Sequence, residues 1–320
     1  MSLYDLTPRR VPSSLQENHP YVEVDPCLAK GRFLGWDRYS SSDWVCERKE
    51  DGERRVTQCI NLTAFFSGRR RSVNGDLLEK GANLFHLCEV PPELNGAIFD
   101  GEVYIPGGHS NDITSIMALA DPAEAKAKIL DLPPEQWPRY AIFDVIALPG
   151  RKYVTKRSLR ERHQLMLGLS PLIEQWGQMR VHFVSSYPAF NASYENAYNQ
   201  TVALGGEGVV LKDLRSNYVY GPCGSWVKVV HTATETVTCI GIQQGNEGKY
   251  ANTLGAVVFR GTIKGRAVSG TCSGMSDKDR HAIWADPRKY INAKFDVEFK
   301  RITSEGRLIS PRIIRWRWDL

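Results

Sequence analysis

The chain has 320 residues, 42% hydrophobic and 24% charged, with a net charge of +5, the composition of a soluble globular protein long enough for two domains. No run approaches the length of a membrane span, and the first residues lack the apolar stretch of a signal peptide, so a cytoplasmic protein is expected. Seven scattered cysteines without a CxxC pair, and histidines without ligand spacing, argue against structural zinc and a complete disulfide framework.

Residues 1–40 are rich in Pro, Ser and polar residues and predict a loop-dominated lead-in. Short β-like runs follow between Trp44 and Val103: "WVCER", "RRVTQCINLTAFF" and "GAIFDGEVYI". "DPAEAKAKILDL" predicts a short helix and "RYAIFDVIAL" a buried strand. Ser158–Gly177 reads as one amphipathic helix, with Leu165, Leu169, Leu172, Ile173 and Trp176 at helical spacing as core. A helix over Tyr194–Leu204 ends at Gly205-Gly206, before the strands "EGVVLKD" and "SWVKVV". After His231, five short Gly-punctuated strands and one helix-like piece, "SDKDRHAIW", suggest a small β-barrel of OB type. The expected layout is an α+β domain over residues 1–231 and an OB-fold domain over 232–320.

"CERKEDGERRV" (Cys46–Val56) places eight charges of cancelling sign around an Asp-Gly pair. Asp51-Gly52 between two extended runs predicts a β-hairpin, and a charged hairpin tip is ordinarily a solvated loop. Chemically useful residues nevertheless continue in order along the chain. "FDGEVYIP" holds Asp100 and Glu102 beside what reads as a second Asp-Gly turn, and "YAIFDV" holds Phe143 and Asp144. "EGVVLK" holds Glu207 and Lys212, "SWVKVV" holds Lys228, and "RIIRWRWDL" closes with Arg315, Arg317 and Asp319. Basic residues cluster in "GRRR", in "RKYVTKRSLRER" and in the five arginines of the last twenty residues, which suits a polyanionic partner.

In these motifs the chain resembles the ATP-dependent DNA ligases of the covalent nucleotidyltransferase superfamily. Glu-x-Lys-x-Asp-Gly-x-Arg is met at 47–54, Asp-Gly-Glu at 100–102, aromatic-Asp at 143–144, Glu-Gly-x-x-x-Lys at 207–212 and Trp-x-Lys at 226–228. "GKYANTLGAVV" (Gly248–Val258) and "GRLISPRIIRWR" (Gly306–Arg317) look more like DNA ligases than capping enzymes, and the likeness runs from about Val24 to the end. The resemblance implies a nucleotidyltransferase (adenylation) domain of antiparallel sheets with flanking helices, followed by the OB-fold domain.

It also implies that Lys49 is the nucleophile that takes AMP from ATP. Free lysine has a pKa of about 10.4, so a neutral amine near pH 7 requires a shift of about 3 units, about 4 kcal/mol. Neighbouring carboxylates oppose that shift unless a metal offsets them. By the same likeness Glu47 reads the adenine edge and Phe143 stacks on its face. Arg54 and Glu102 hold the ribose side, and Glu102 and Glu207 serve Mg²⁺, with Mn²⁺ as a substitute. Lys228 contacts the α-phosphate and Lys212 the phosphate region, while Arg317 and Asp319 orient pyrophosphate. One of Arg69, Arg70 and Arg71 meets a DNA 5′-phosphate.

Three positions depart from the family pattern: Val230 where many relatives have a second lysine, Leu320 where some have lysine, and "SGRRRS" for a Ser-Arg pair. The expected activity is sealing of 5′-phosphate/3′-hydroxyl nicks in duplex DNA by a monomer of compact viral or bacterial type, with only 48 residues ahead of Lys49. An RNA ligase of the same superfamily is the second reading. A non-catalytic nucleic-acid binder and a GTP-using capping enzyme stand behind it.

Overall fold

The computed structural model describes residues 19–71, 77–184, 186–187, 193–246 and 248–320. By internal contacts it divides into two units, Met1–Val229 and Val230–Leu320. Two of the three candidate DNA contacts, Arg70 and Arg71, have side chains outside the described residues, as does the predicted lead-in up to residue 18. Among the described residues no helix is long and apolar enough to cross a membrane.

The first unit runs β1 (Cys27–Gly31), β2 (Trp44–Lys49), β3 (Glu53–Ile60), β4 (Thr63–Arg71), β5 (Leu77–Glu79), β6 (Ile98–Tyr104), α1 (Ser110–Met117), α2 (Pro122–Leu130) and β7 (Arg139–Leu148). It continues through β8 (Lys152–Tyr153), α3 (Leu159–Gly168), α4 (Ser170–Gln175), β9 (Val181–Phe183), β10 (Ser186–Tyr187), α5 (Tyr194–Ala203), β11 (Gly208–Asp213) and β12 (Gly221–Val230). These strands form a five-stranded sheet, β1-β12-β11-β2-β10, and a seven-stranded sheet, β5-β4-β3-β6-β7-β8 with β9 beside β7. The unit is therefore mixed α+β. Its main core packs Phe66, Leu84, Leu87, Phe99, Tyr140, Ile142 and Trp176 beneath the seven-stranded sheet and its helices.

Three readings of the sequence are corrected. The Asp51-Gly52 pair does not make a hairpin: β2 pairs with β10 and β11, whereas β3 pairs with β4 and β6. The chain instead crosses from one sheet to the other, and Gly52 is needed because a Cβ there would lie 2.2 Å from the Val103 carbonyl oxygen. The β3–β4 hairpin lies at Asn61-Leu62, both at positive φ (45° and 66°), a turn hidden by the absence of glycine. Asp100-Gly101 is no turn either but the middle of β6, where a Cβ at Gly101 would meet the Tyr140 ring at 2.5 Å. Finally, Ser158–Gly177 is two helices, α3 and α4, that break at Leu169, with Pro171 in the first turn of the second.

Helix α3 starts on a capping box: Ser158 accepts from the Glu161 backbone and Glu161 accepts from the Ser158 backbone. It is pinned to β7 by a buried fork, Arg162 Nε to Asp144 Oδ1 at 2.7 Å and Nη2 to Oδ2 at 2.8 Å, both side chains 0% exposed. Arg162 Nη1 also donates to the carbonyls of Arg157 (2.6 Å) and Ser216 (3.1 Å), so the guanidinium is well satisfied.

The second unit holds β13 (Ala233–Gln244), β14 (Leu254–Ile263), β15 (Arg266–Cys272), α6 (Asp277–Ala285), β16 (Lys294–Phe299) and β17 (Arg312–Arg317). Its sheet order is β15-β14-β13-β16-β17, around Val237, Val257, Phe259, Phe295 and Val297. The closed barrel expected from the strand spacing is not seen. Among the described residues, one parallel bridge, Ser273 to Arg312, is the only pairing between the ends of the outer strands.

Two stability outcomes follow. Arg162→Ala leaves the Asp144 charge buried without its partner and should cost about 3–5 kcal/mol in denaturant unfolding. His86 donates from Nε2 to the Pro138 carbonyl at 2.9 Å and packs edge-on to Trp137. Burial first, with Arg180 adding repulsion against that hydrogen bond, lowers its imidazole to about 4. The unfolded chain then binds the extra proton between pH 6.5 and 4. Stability contributed by neutral His86 is complete above about pH 6.5 and is lost as pH falls through that window, by up to about 3 kcal/mol. His86→Gln should flatten this part of the unfolding curve.

Candidate active site

The crossing at residues 50–52 places the end of β2 and the start of β3 on facing sheets. Between them lies a cavity of about 210 Å³, walled by β1, β2, β11 and β12 on one side and by β3, β6 and β7 on the other. Lys49 stands at its mouth, 20% exposed, with its ammonium on the Glu207 carboxylate and a weaker 3.4 Å bond to the Glu50 carbonyl. Antiparallel register explains the pair: Lys49 ends β2 opposite Gly208, the first residue of β11, and Glu207 directly precedes it. Burial works to lower the Lys49 pKa, but Glu207, Glu102 and Asp51 outweigh it, so the amine is held above its ordinary value. Asp51 is itself fixed by His109, Nδ1 to Oδ2 at 3.0 Å.

At the inner end, Glu47 is 2% exposed and Lys212 is 1% exposed, joined at 2.6 Å through Glu47 Oε2. Lys212 also donates to the Phe143 carbonyl at 2.9 Å and lies over the Trp226 ring at 4.1 Å. The structure thus sets Lys212 against Glu47 and not beside Lys49. Burial acts to raise the Glu47 carboxyl, but Lys212 and His163 pull it below the usual carboxylate range. Trp226 Nε1, buried at this cavity, has no hydrogen-bond partner among the described residues, and Glu47 Oε1 has only the 3.2 Å contact of His163 Nε2, which is not aligned as a hydrogen bond. Such orphaned acceptor and donor atoms suit the polar edge of a bound planar ligand. Phe143 lines the same space edge-to-face with Trp226 at 5.8 Å.

Arg54, expected on the ribose side, lines the cavity but is tied to Asp100, with Nε to Oδ1 at 2.9 Å, a second bond from Nη2, and a bond from Nη1 to the Cys27 carbonyl. Tyr218 donates to the same Asp100 at 2.5 Å. Glu102 lies opposite Arg54 on the neighbouring strand of the same sheet and is pushed up to about 7 by burial, against the pull of Lys49 and Arg54 and with repulsion from Glu207. Among the described residues no cluster of three or more His, Cys, Asp or Glu side chains could hold a metal alone. Two mutually repelling carboxylates beside Lys49 do fit a hard cation that arrives with phosphate oxygens, the usual mode for Mg²⁺.

The cations that line the cavity also include Lys30 of β1, Arg69 of β4 and Lys228 of β12. Partial burial first, then Lys49 and Arg69, lowers the Lys228 pKa. Arg69 alone of its triplet is placed here by the described side chains. Arg317 and Asp319 belong to the second unit, joined by Nε–Oδ1 at 2.9 Å and Nη2–Oδ2 at 2.7 Å. Arg317 first, with its neighbours, holds Asp319 down to about 2. Reading the sequence assigned no role to Lys30, Asp100, His163 or Trp226. Trp226 lies two residues before Lys228 and Asp100 two before Glu102, so strand alternation could have flagged both; His163 carried no local signal.

A family model described as the ATP dependent DNA ligase domain matches residues 34–229. DNA ligase 4 of Kluyveromyces lactis is 25% identical over 69% of this chain and 25% of its own length. A probable DNA ligase of Kineococcus radiotolerans is 29% identical over 55% of this chain and 38% of its own. The chain spans well under half the length of these curated relatives. A Lig E DNA ligase, solved in a study of DNA binding with a minimal scaffold, shares the fold at TM-score 0.67 and 19% identity, over 92% of this chain and 100% of that one. With well over half of its residues matched by the family model, the chain belongs to the ATP-dependent DNA ligase domain family.

Proposed function

We propose that the chain is an ATP-dependent DNA ligase that seals 5′-phosphate/3′-hydroxyl nicks in duplex DNA through a lysyl-AMP intermediate. The observation that carries this reading is Lys49, set between Glu207 and Glu102 at the mouth of a cavity whose inner end offers Glu47 and the Phe143 ring. Adenine enters against Phe143, with its amino group on the orphaned Oε1 of Glu47. Lys212 serves there as the partner of Glu47. Arg54, braced by Asp100, and Glu102 border the ribose.

Lys49 must lose its proton before it attacks the α-phosphorus, and the carboxylates around it oppose that loss. Glu102 and Glu207 would hold Mg²⁺ together with phosphate oxygens, and the ion would supply positive charge that offsets these carboxylates. The N–P bond forms as the bond to the β-phosphate oxygen breaks, and pyrophosphate leaves. Lys228, a cation beside Lys49, stabilises charge gathering on the α-phosphate. A DNA 5′-phosphate oxygen then displaces Lys49 from AMP, and the 3′-hydroxyl finally displaces AMP from that 5′-phosphate. Arg69 and Lys30 receive the 5′-phosphate strand, so binding weakens steeply with salt.

The second unit is read as OB type. Its strand order, and the parallel bridge from Ser273 to Arg312 with Ile313 N on the Ser273 carbonyl at 2.9 Å, support that topology. Arg317 and Asp319, carried by this unit, orient the leaving pyrophosphate. The enzyme acts as a monomer.

Incubation with ATP and Mg²⁺ should raise the intact mass by one AMP, reversibly with pyrophosphate. Lys49→Ala should show no gain yet slowly seal a nick already carrying 5′-AMP; complete loss on that substrate would count against the assigned role. Lys228→Ala should slow labelling by about a hundredfold with little change in half-saturating ATP, the signature of a contact made in the transition state. Sealing of a nicked DNA duplex should exceed joining of RNA ends; the reverse preference would transfer the assignment to an RNA ligase.

A further inference from the structure

Glu47 carries one contact that the family motifs do not account for. His163, from α3, brings Nε2 to 3.2 Å from Glu47 Oε1, while Lys212 Nζ holds Oε2 at 2.6 Å. The neighbouring Arg162 is forked onto Asp144 with both side chains 0% exposed, and Asp144 directly follows Phe143. Helix α3 therefore cannot slide along β7 without breaking a buried ion pair, so His163 keeps a fixed place relative to the Phe143 strand. A glutamate carboxyl turns easily about its last torsion. Contacts to both oxygens restrict that turn, and here one oxygen touches a lysine and the other an imidazole. The imidazole is within reach of Oε1 but not aligned on it, which leaves that oxygen open to a further donor.

We propose that His163 is a positioning residue for base selection: with Lys212 it holds the Glu47 carboxylate so that Oε1 accepts from a 6-amino group and repels a 6-oxo group. This rests on the reading of Glu47 as the contact to adenine. An amino group donates to Oε1, whereas a carbonyl would set its lone pairs against a buried carboxylate. A site built around a required hydrogen bond rejects the wrong partner strongly only if its own group cannot turn away. His163 is the second of the two contacts that prevent such turning.

The test measures initial rates of covalent labelling of the full chain, by intact mass, against the concentration of three nucleotides. These are ATP, inosine triphosphate (6-oxo) and purine riboside triphosphate (no 6-substituent). His163→Ala should raise half-saturating ATP about tenfold, keep the maximal rate within about twofold, and leave purine riboside triphosphate unchanged. The preference for ATP over inosine triphosphate should fall by a similar factor. His163→Phe, which keeps ring volume without the nitrogens, should behave as His163→Ala, and His163→Gln should recover most of the preference. Equal losses for all three nucleotides would show a merely structural role and overturn the proposal, as would an unchanged preference in both His163→Ala and His163→Phe. A wild-type chain that takes no label from any nucleotide would remove the underlying reading as well. A wild-type chain that labels normally beside unaffected variants would remove this inference alone.

Discussion

The chain leaves one sheet at Lys49 and enters the other at Glu53, and the site depends on the shortness of that crossing. The three residues between them carry the chain onto the second sheet instead of back into a ladder with β2, so the two sheets meet around residues 50–52. Gly52 permits this because its α-carbon passes so close to the Val103 carbonyl that any side chain would collide. A cationic side chain at one end of the crossing and Arg54 at the other then face the same cavity. The charged character of the segment follows in part from this geometry: Glu47, Lys49 and Arg54 face Lys212, Glu207 and Asp100 from other parts of the sheets, whereas Arg48 pairs with Glu50 and Arg55 with Glu53 within the segment.

Within that cavity, charge is arranged in two layers. The inner layer, Glu47 with Lys212 and Arg54 with Asp100, is paired and buried, and its pairs hold side chains in place at the ligand-facing wall. The outer layer, Lys49 with Glu207 and Glu102, sets two carboxylates against one ammonium, and burial, with repulsion from Glu207 added, pushes Glu102 up to about 7. A buried pair that is balanced acts as scaffold, whereas an unbalanced one is ready to exchange a partner for an incoming cation. The distinction lies in the count of charges around each group and not in residue type, since a glutamate–lysine pair stands in both layers.

Much of the site was legible in the sequence because nucleotide chemistry requires particular side chains at strand ends. Lys49, Glu102, Phe143, Lys228 and Arg69 all line one cavity, as the order of motifs suggested. Other expectations failed for identifiable reasons. Asp-Gly pairs were read as turns because glycine usually marks positive φ, yet at Gly52 and Gly101 the need is space for a carbonyl and for a tyrosine ring. The true hairpin at Asn61-Leu62 escaped notice because leucine rarely takes φ of 66°. Helix α3 was expected to continue through Leu169 because apolar spacing persists across the break, while Pro171 starts a new helix two residues later.

Local sequence alone determined the strands and helices with strong periodicity, the capping box at Ser158, and the identity of the chemical groups. Those depend on neighbours within a few residues, where propensity and spacing act. Only the tertiary structure decided that Lys212 serves Glu47, that Asp144 anchors helix α3 through Arg162, and that His163 reaches the far oxygen of Glu47. These contacts join residues separated by 165, 18 and 116 positions (212 − 47, 162 − 144 and 163 − 47). Each is set by which sheet a strand joins and by register within it, and neither is encoded in any short stretch of the chain.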